Sequence, residues 1–340
     1  RRVLFRSVTD EKIKQLVEKQ VAAGLDIITD GEFRRSYWHL DNFWGFGGVE
    51  RFKFGEGYRF AHEETRDDSA RLTGRLTFDA EVHPFIQQFV FLKKLADQHG
   101  VAAKITLPAP AQFYAELVRG DNAARVVKYY DNYETLYDDI KRVYHEEMLA
   151  LYEAGARTIQ LDDCTWGMLV DPKFWSLMAG DDFDAHTIKQ IYLDLNNGAI
   201  AGLPDDLVIN THICRGNYHS DWAATGGYDA VAEPLFTQEN VANYFLEYDT
   251  ARSGSFEPLA KVSGNKCVVL GLVTTKSGEL EDRQTIIDRI HDASKYLPLS
   301  RLWLSTQCGF ASTEEGNVIT EAQQWAKLAY VKSIIDEVWQ

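Results

Sequence analysis

The sequence has no long apolar run. None of its hydrophobic stretches approaches the ~20 consecutive residues needed to span a bilayer, although 45% of its 340 residues are hydrophobic. Basic residues are also in short supply: 36 Lys and Arg stand against 51 Asp and Glu, for a formal net charge of −15. Proteins that bind nucleic acid need clustered Lys and Arg against the phosphates. We therefore expect neither a membrane nor a nucleic acid as a partner.

Cysteine is scarce, with four residues in the whole chain. Two of them, Cys214 and Cys308, stand where predicted strands end, which favours thiols that bind a ligand over thiols that form disulfides. The sequence therefore indicates a reducing compartment. Since no secretory signal is visible, the predicted localisation is cytoplasmic.

Residues 1–7 differ in character from the rest of the chain. They read like the translated end of a sequencing-library adapter, so we interpret them as a non-native segment and expect the gene's own sequence from Val8 onward. An ordinary flexible basic terminus is the alternative. The fold prediction accordingly begins at Val8.

From Val8 the chain alternates between helical and extended patterns. A helix is predicted over residues 9–23, and a strand over residues 25–29 follows it directly. Six further strands are predicted, most of them separated by helical patterns, and they begin near Val101, Arg157, Asp205, Asn243, Lys266 and Ser300. Repeated strand–helix units predict a single α/β domain over residues 8–340.

The number of strands indicates a particular architecture. Seven strand–helix units are one short of the eight that close a parallel (β/α)8 barrel of the TIM type, and seven strands would leave two open edges. We therefore predict a TIM-type barrel that lacks its first strand through amino-terminal truncation. Residues 38–80 do not fit the alternation. They are predicted to be an inserted excursion over an active site, with a β-hairpin around residues 58–60 and 75–78.

Four residues that can bind a metal follow apolar runs at separate places in the chain. His212 and Cys214 are two residues apart, so both side chains point to the same side of an extended segment. Glu247 and Cys308 stand at equivalent places after later runs. One imidazole, two thiols and one carboxylate match the ligands that Zn²⁺ takes in a tetrahedral shell. For any one of these residues, simple packing or hydrogen bonding is the alternative.

The two remaining cysteines compete for the same role. Cys164 follows Asp162 and Asp163, and we predict that it lines the site without binding the metal. Cys267 opens an apolar strand and is predicted to be part of the core.

Acidic residues also follow two predicted strands. Glu32 and Asp162 would stand at the mouth of a barrel beside the metal, where they could hold an ammonium group or serve as general acid and base. A helix cap or an Asx-turn is the alternative for either acid. Arg34 and Trp38 lie in a basic and aromatic segment that could clasp an anionic ligand such as a pteridine-glutamate tail, or could equally pack as a loop on the barrel.

Five segments together resemble the carboxy-terminal catalytic domain of cobalamin-independent methionine synthase, and in particular its shorter single-domain relatives. They are residues 30–35, 160–163, 212–214, 247 and 307–309. The resemblance covers nearly all of residues 8–340 and implies a TIM-type barrel. It also implies that zinc is bound by His212, Cys214, Glu247 and Cys308, and that Glu32 and Asp162 bind the amino group of homocysteine.

The reaction that the resemblance implies is zinc-dependent methyl transfer to the thiol of homocysteine, which gives methionine. Zinc deprotonates a coordinated thiol near neutral pH, and the thiolate is the nucleophile. Glu32 and Asp162 are the predicted catalytic pair, because they would hold the amino acid in a reactive position. The sequence departs from the family after the seventh strand of the family barrel, where residues 274–276 replace a catalytic His. A methyltetrahydrofolate-type donor is therefore expected but left open.

Besides an inactive or unstable fragment whose residues record an ancestral enzyme, two alternatives remain at this point. One is zinc-dependent alkyl transfer to another thiol such as coenzyme M, whose sulfonate would call for Arg or Lys where this chain has Glu32 and Asp162. The other is a metal-free barrel similar to uroporphyrinogen decarboxylase, which would have no use for Cys214 or Cys308.

Overall fold

Parallel strands form the centre of the structure, a computed structural model that describes residues 2–173 and 184–339. In chain order the strands are β1 (Ile27–Ile28), β2 (Gly47–Lys53), β3 (Asp68–Thr77), β4 (Ala102–Ala103), β5 (Ile105–Pro108), β6 (Thr158–Asp162), β7 (Val208–Ile213), β8 (Asn243–Glu247), β9 (Cys267–Val273) and β10 (Leu302–Thr306). Strands β5 to β10 lie side by side in chain order, and each pairs in parallel with the next.

A second pairing extends this sheet by one position. Strand β1 pairs in parallel with β4, and the amide of Lys104 donates to the carbonyl of Ile28 at 2.9 Å. Only Lys104 separates β4 from β5, so these two segments act as one interrupted strand between β1 and β6. All seven predicted parallel strands are therefore present, and the predicted α/β fold is confirmed.

Helices fill the connections between the strands, as repeated βαβ units require. In chain order they are α1 (Arg2–Ala22), α2 (Leu40–Phe43), α3 (Pro84–His99), α4 (Pro110–Leu117), α5 (Ala123–Tyr129), α6 (Tyr133–Glu153), α7 (Cys164–Leu169), α8 (Ala185–Ile200), α9 (Ala232–Gln238), α10 (Arg283–Ala293) and α11 (Glu321–Val338). Among the described residues, no helix combines the length and the apolar character needed to cross a membrane.

The outer edges of β1 and β10 face an opening. Within residues 2–173 and 184–339 no strand pairs with either edge, and Ile27 and Trp303 are 47% and 46% exposed. Helices α1 and α11 contact each other through an ion pair between Lys19 and Glu321. An opening of this kind is expected of a barrel with fewer than eight strands. Truncation of the gene as its cause stays a prediction.

The core is built from strands that are covered on both faces. Residues 268–273 of β9 are all buried, which is typical of a parallel strand with helices on the outside and side chains on the inside. Asn132 caps the start of helix α6, because its side chain accepts a hydrogen bond from the amide of Thr135. Its buried face carries Leu136, Ile140, Val143, Met148 and Leu151, as the spacing of these residues predicts.

The excursion contains a hairpin, but one of its two strands was wrongly predicted. Residues 75–77 lie in β3 as expected, whereas the antiparallel partner is β2 and not residues 58–60. Arg59 forms only an isolated bridge with Glu64. The start of β2 contains Gly48 at φ 82° beside an irregularity in the strand pairing. A glycine bulge of this kind reads as a loop in the sequence, which hid the strand.

Helix α1 was predicted to begin near residue 9 and begins at Arg2. It therefore includes most of residues 1–7, the segment interpreted above as non-native. The interpretation of those residues as non-native stays a prediction.

Candidate metal centre and substrate pocket

Three predicted metal ligands converge at the carboxyl ends of β7 and β10. His212 and Cys214 are buried at the end of β7, and Cys308 follows the end of β10. Their ligand atoms all lie within 4.8 Å of one another, and Nε2 of His212 is 3.4 Å from Sγ of Cys308. Tetrahedral zinc with bonds of ~2.0–2.3 Å places its ligand atoms roughly 3.3–3.8 Å apart. This donor set therefore fits Zn²⁺ in chemistry, and the distance between His212 and Cys308 matches the spacing of such a shell.

The ring of His212 is oriented by a backbone carbonyl on the neighbouring strand. Its Nδ1 lies 3.1 Å from the carbonyl oxygen of Phe245 on β8. A carbonyl can only accept, so Nδ1 carries the proton and donates, and the lone pair of Nε2 points toward the two sulfurs. Histidines that bind metals are held in this way by their other ring nitrogen.

Cys214 of the cluster also contacts a third thiol. Sγ of Cys164 lies 3.3 Å from Sγ of Cys214, which agrees with the prediction that Cys164 lines the site. Hydrogen bonds from Cys164, and next from Cys308, hold the pKa of Cys214 well below its usual range, while the pKa values of the two donors are raised. Cys214 is therefore the thiol of the group most readily present as thiolate, the form that binds zinc.

Glu247 lies beside the cluster without joining it in this structure. Among the described residues, the metal-binding group comprises only His212, Cys214 and Cys308. The carboxylate of Glu247 is completely buried; Oε2 accepts from the amide of Arg215 at 2.9 Å, and Oε1 accepts from Nη2 of Arg252 at 2.7 Å. The structure thus brings together three of the four predicted ligands, and Glu247 as the fourth stays a prediction.

Cys267 lies at the opposite end of the sheet from this cluster. It is the first residue of β9 and is partly exposed, which differs from the buried core position expected. Its thiol contacts the carbonyl of Asn265 at 3.8 Å. Cys267 is therefore a natural control for the thiols of the site.

Glu32 reaches the site from the turn that follows β1. Its backbone has φ 59°, an uncommon conformation for a residue other than glycine, and its amide donates to Oδ1 of Asp30 at 2.9 Å. The carboxylate accepts from Oγ1 of Thr106 and lies 3.1 Å from Nη1 of Arg35. Burial raises the pKa of Glu32, and the charge of Arg35 opposes this rise.

Asp162 is the last residue of β6 and lies next to His212 in the register of the sheet. Its Oδ1 accepts from Nε2 of Gln160 at 2.7 Å. Burial raises the pKa of Asp162, and His212 is the largest influence in the opposite direction. Both predicted acids therefore stand near the metal ligands in a setting that makes an anion costly unless a cation faces it.

One large cavity of about 2080 Å³ connects these groups. Its lining includes Glu32, Asp162, His212, Cys214 and Cys308. The cavity exceeds the usual range for a single small-molecule site, because it continues to the opening between β1 and β10, where Ile27 and Trp303 also line it. Several ring side chains line it elsewhere: Trp38, His39, Phe54, Tyr58, Phe60, Tyr218 and Phe310.

The two proposed contacts from the segment after β1 have different positions. Trp38 lines the cavity, and its contact with a substrate stays a prediction. Arg34 does not, because its guanidinium pairs with Asp10 of α1 and lies 4.7 Å from the ring centre of Phe91. Its neighbour Arg35 makes the contact with Glu32 instead. Sequence alone offered no means of choosing between two adjacent arginines.

Arg35 is held rigidly, which explains why it can orient Glu32. Its Nη2 donates to the carbonyl of Thr106 at 2.9 Å, its Nη1 donates to Oγ1 of Thr106 at 3.1 Å, and its guanidinium lies 4.1 Å from the ring centre of Phe85.

Gln160 and Lys104 are two further polar residues of the cavity lining that the site prediction omitted. A lysine within an otherwise apolar extended segment was the available signal for Lys104.

Residues 122–330 match a family model described as the catalytic domain of cobalamin-independent synthase. The match covers more than half of the chain. The chain belongs to this family. The predicted family and the predicted TIM-type architecture are therefore both confirmed, and the zinc-compatible cluster lies at the carboxyl ends of β7 and β10.

Individual relatives of this synthase-family chain match it over nearly its whole length. Protein YxjH of Bacillus subtilis (strain 168) is 43% identical over 337 residues, which are 99% of this chain and 87% of the relative. A Listeria monocytogenes protein solved under the name "putative vitamin-B12 independent methionine synthase" has a TM-score of 0.74 and 35% identity, over 98% of this chain and 88% of that chain. A B12-independent methionine synthase from Shewanella sp. W3-18-1, solved with selenomethionine, has a TM-score of 0.72 at 19% identity, over 97% and 87% of the two chains.

Proposed function

We propose that this protein transfers a methyl group to the thiol of homocysteine, with a zinc ion bound by His212, Cys214 and Cys308 and with Glu247 as the fourth ligand. One observation carries the proposal. An N,S,S donor set that fits zinc and two partly buried carboxylates line the same cavity. A thiol that also carries an ammonium group could therefore contact both at once.

Different side chains of the protein would act on the ammonium group and on the thiol of the amino acid. Glu32 and Asp162 would accept hydrogen bonds from the ammonium group and hold the substrate in one orientation. The ring of His212 keeps Nε2 directed at the cluster through the contact of Nδ1 with Phe245. A bound zinc ion would supply Lewis acidity, which lowers the pKa of a coordinated thiol so that the nucleophilic thiolate is present at neutral pH.

Glu247 needs a rearrangement to serve as a ligand. Arg252 and the amide of Arg215 each occupy one of its oxygens, but a carboxylate oxygen has a second lone pair. In the metal-loaded protein we expect one oxygen of Glu247 to turn toward the cluster while the other keeps its contact.

The charge of the cavity favours homocysteine over coenzyme M. A sulfonate would meet Glu32 and Asp162, two carboxylates, near the metal cluster, and like charges in a buried site repel strongly.

The convergence of His212, Cys214 and Cys308 within 4.8 Å favours a metal site over the metal-free alternative. Cys164, Cys214, Cys267 and Cys308 are all free thiols, which supports the expected reducing cytoplasm.

The methyl donor is the less defined partner. We propose a methyltetrahydrofolate-type donor, whose ring system suits the aromatic lining of the cavity at Trp38, Tyr58 and Phe60. The segment after β9 has Thr274, Thr275 and Lys276. It offers no imidazole to protonate the departing nitrogen, so the identity of the donor has to be measured.

The deciding experiment uses zinc-loaded protein with homocysteine and a panel of methyl donors, with products followed by mass spectrometry. We expect methionine from homocysteine and no methylated coenzyme M. Formation of methionine should stop after the metal is removed and should return when zinc is added. Methylation of coenzyme M in place of homocysteine, or equal activity without zinc, would contradict the proposal.

A further inference from the structure

A lysine lies beneath the two carboxylates of the pocket. Lys104 separates β4 from β5 and lines the cavity together with Glu32, Gln160 and Asp162. Its Nζ donates to Oε1 of Gln160 at 3.0 Å and lies 5.0 Å from the ring centre of Phe245. Burial lowers the pKa of Lys104, and the charges of Asp162 and Glu32 oppose that change, which places both acids within electrostatic range of the ammonium group.

The contact with Lys104 determines how the side chain of Gln160 is turned. An ammonium group has only donors, so it selects the oxygen end of the amide. The nitrogen end then faces Asp162, where Nε2 donates to Oδ1 at 2.7 Å. If the amide were turned round, its oxygen would stand at that short distance from a carboxylate oxygen, which is a repulsive contact.

The orientation of Gln160 in turn determines what Asp162 offers to a ligand. Oδ1 is occupied by Gln160, whereas Oδ2 accepts no hydrogen bond from any residue that the structure describes. Asp162 therefore keeps one oxygen without a hydrogen bond among the described residues, in the cavity that His212 also lines. Glu32 has a comparable arrangement, since Arg35 and Thr106 both contact its Oε1.

We propose that Lys104 is a positioning residue, which acts through the amide of Gln160 to direct Asp162 at the ammonium group of the thiol substrate. The proposal rests on the proposed function for the identity of that substrate. It states that Lys104 does not touch the substrate itself. It also states that these contacts leave one oxygen of each acid open to an ammonium group, so that the pocket selects thiols that carry an amino group.

The binding test compares three thiols on the zinc-loaded protein by isothermal titration calorimetry. They are homocysteine, 3-aminopropane-1-thiol, which lacks the carboxylate, and 4-mercaptobutanoate, which lacks the amino group. Lys104→Met should weaken the first two about tenfold, as expected for loss of a well-oriented charged hydrogen bond, and should change the third less than twofold. Lys104→Arg, which keeps a donor toward Gln160, should recover most of the affinity.

Two results would overturn the proposal. If Lys104→Met weakened 4-mercaptobutanoate and left 3-aminopropane-1-thiol unchanged, Lys104 would bind the substrate carboxylate directly. If Lys104→Met weakened homocysteine tenfold even in an Asp162→Asn background, the effect would not pass through Asp162, because a relay requires that the two changes are not additive. Lys266→Met is the matched control, since Lys266 is also partly buried but bonds the carbonyl of Glu239 outside the cavity.

A second measurement keeps this inference separate from the proposed function. The side-chain amide signal of Gln160, labelled with ¹⁵N and identified by its loss in Gln160→Leu, should shift in Lys104→Met and in Asp162→Asn but not in Lys266→Met. If the wild-type protein bound no homocysteine, the proposed function would fail. The Gln160 signal would still show whether Lys104 acts on Asp162 through the amide of Gln160. An unchanged Gln160 signal in Lys104→Met would show that the relay does not exist.

Discussion

Oε1 of Glu247 lies 2.7 Å from Nη2 of Arg252, and the carboxylate is completely buried. Removal of one partner of such a pair leaves an uncompensated charge in the interior, which costs about 3–5 kcal/mol. Arg252→Leu should therefore lower the thermal midpoint of the metal-free protein strongly. Because the freed carboxylate would be compensated by a metal ion, zinc should raise the midpoint of this variant more than that of the wild type. The measurement is calorimetric unfolding with and without zinc.

Arg283→Leu is the control for that prediction, since its pair with Glu337 is exposed and such pairs contribute ~0–1 kcal/mol. An equal shift with zinc in wild type and Arg252→Leu would argue against Glu247 as a ligand.

The second prediction concerns the thiols of the metal centre. Cys214→Ser and Cys308→Ser should each bind less than one zinc ion per chain, because a hydroxyl is a much poorer zinc ligand than a thiolate. Cys267→Ser should keep the full amount, since Cys267 lies at the other end of β9. Elemental analysis of purified variants measures this directly. Full occupancy in both of the first two variants would mean that zinc binds elsewhere.

The third prediction tests the two acids. Glu32→Gln and Asp162→Asn should weaken binding of homocysteine more than binding of 4-mercaptobutanoate, by about 1.5–3 kcal/mol for a charge-assisted hydrogen bond. Titration calorimetry on zinc-loaded protein gives both affinities. Equal losses for the two thiols would show that these acids serve packing or capping.

The fourth prediction follows from a buried carboxyl group that is not part of the cavity lining. Burial raises the pKa of Glu147 from 4.5 to about 8, and its Oε1 accepts from Nδ2 of Asn42 at 2.6 Å. Between pH 4.5 and about 8 the folded protein binds this proton more tightly than the unfolded chain does, so the free energy of unfolding should fall as pH rises. Glu147→Gln should flatten that decline.

Glu146→Gln, at the exposed neighbouring position, should leave the slope unchanged. Urea unfolding at pH 5, 6, 7 and 8 tests both variants, and an identical slope in wild type and Glu147→Gln would show that Glu147 titrates normally.

The fifth prediction concerns the opening between β1 and β10. Strand edges without partners associate with other chains, so we expect low stability and self-association. Ile27→Lys and Trp303→Lys place a charge on each edge and should reduce the apparent mass in light scattering. Val127→Lys changes a valine on α5 that is 71% exposed and should have no effect. A strictly monomeric wild-type protein would refute the prediction.

Several features of this protein could be read from the sequence because they depend on local pattern and chain order. The seven parallel strands follow from apolar runs with helical segments between them, and parallel order brings their carboxyl ends together. That rule places His212, Cys214 and Cys308 in one cluster although 96 residues separate the first from the last. It also brings Glu32 and Asp162 to the same cavity.

Other features were decided only by tertiary contacts. Arg35 rather than Arg34 meets Glu32, because Asp10 and Phe91 hold Arg34 on the other side of the turn. Arg252 pairs with Glu247. The hairpin partner of β3 is β2, which contains the glycine bulge at Gly48.

Lys104 shows most clearly the difference between what the sequence predicts and what tertiary contacts decide. The sequence showed a charge inside an apolar strand. The roles of Gln160 and Asp162 depend on which atom of each side chain faces its partner. The sequence determined which chemical groups reach the mouth of the sheet, since strand order and the two-residue repeat are local rules. The tertiary structure decided how each group is oriented and paired, because hydrogen bonds and charges act over a few ångströms between residues far apart in the chain.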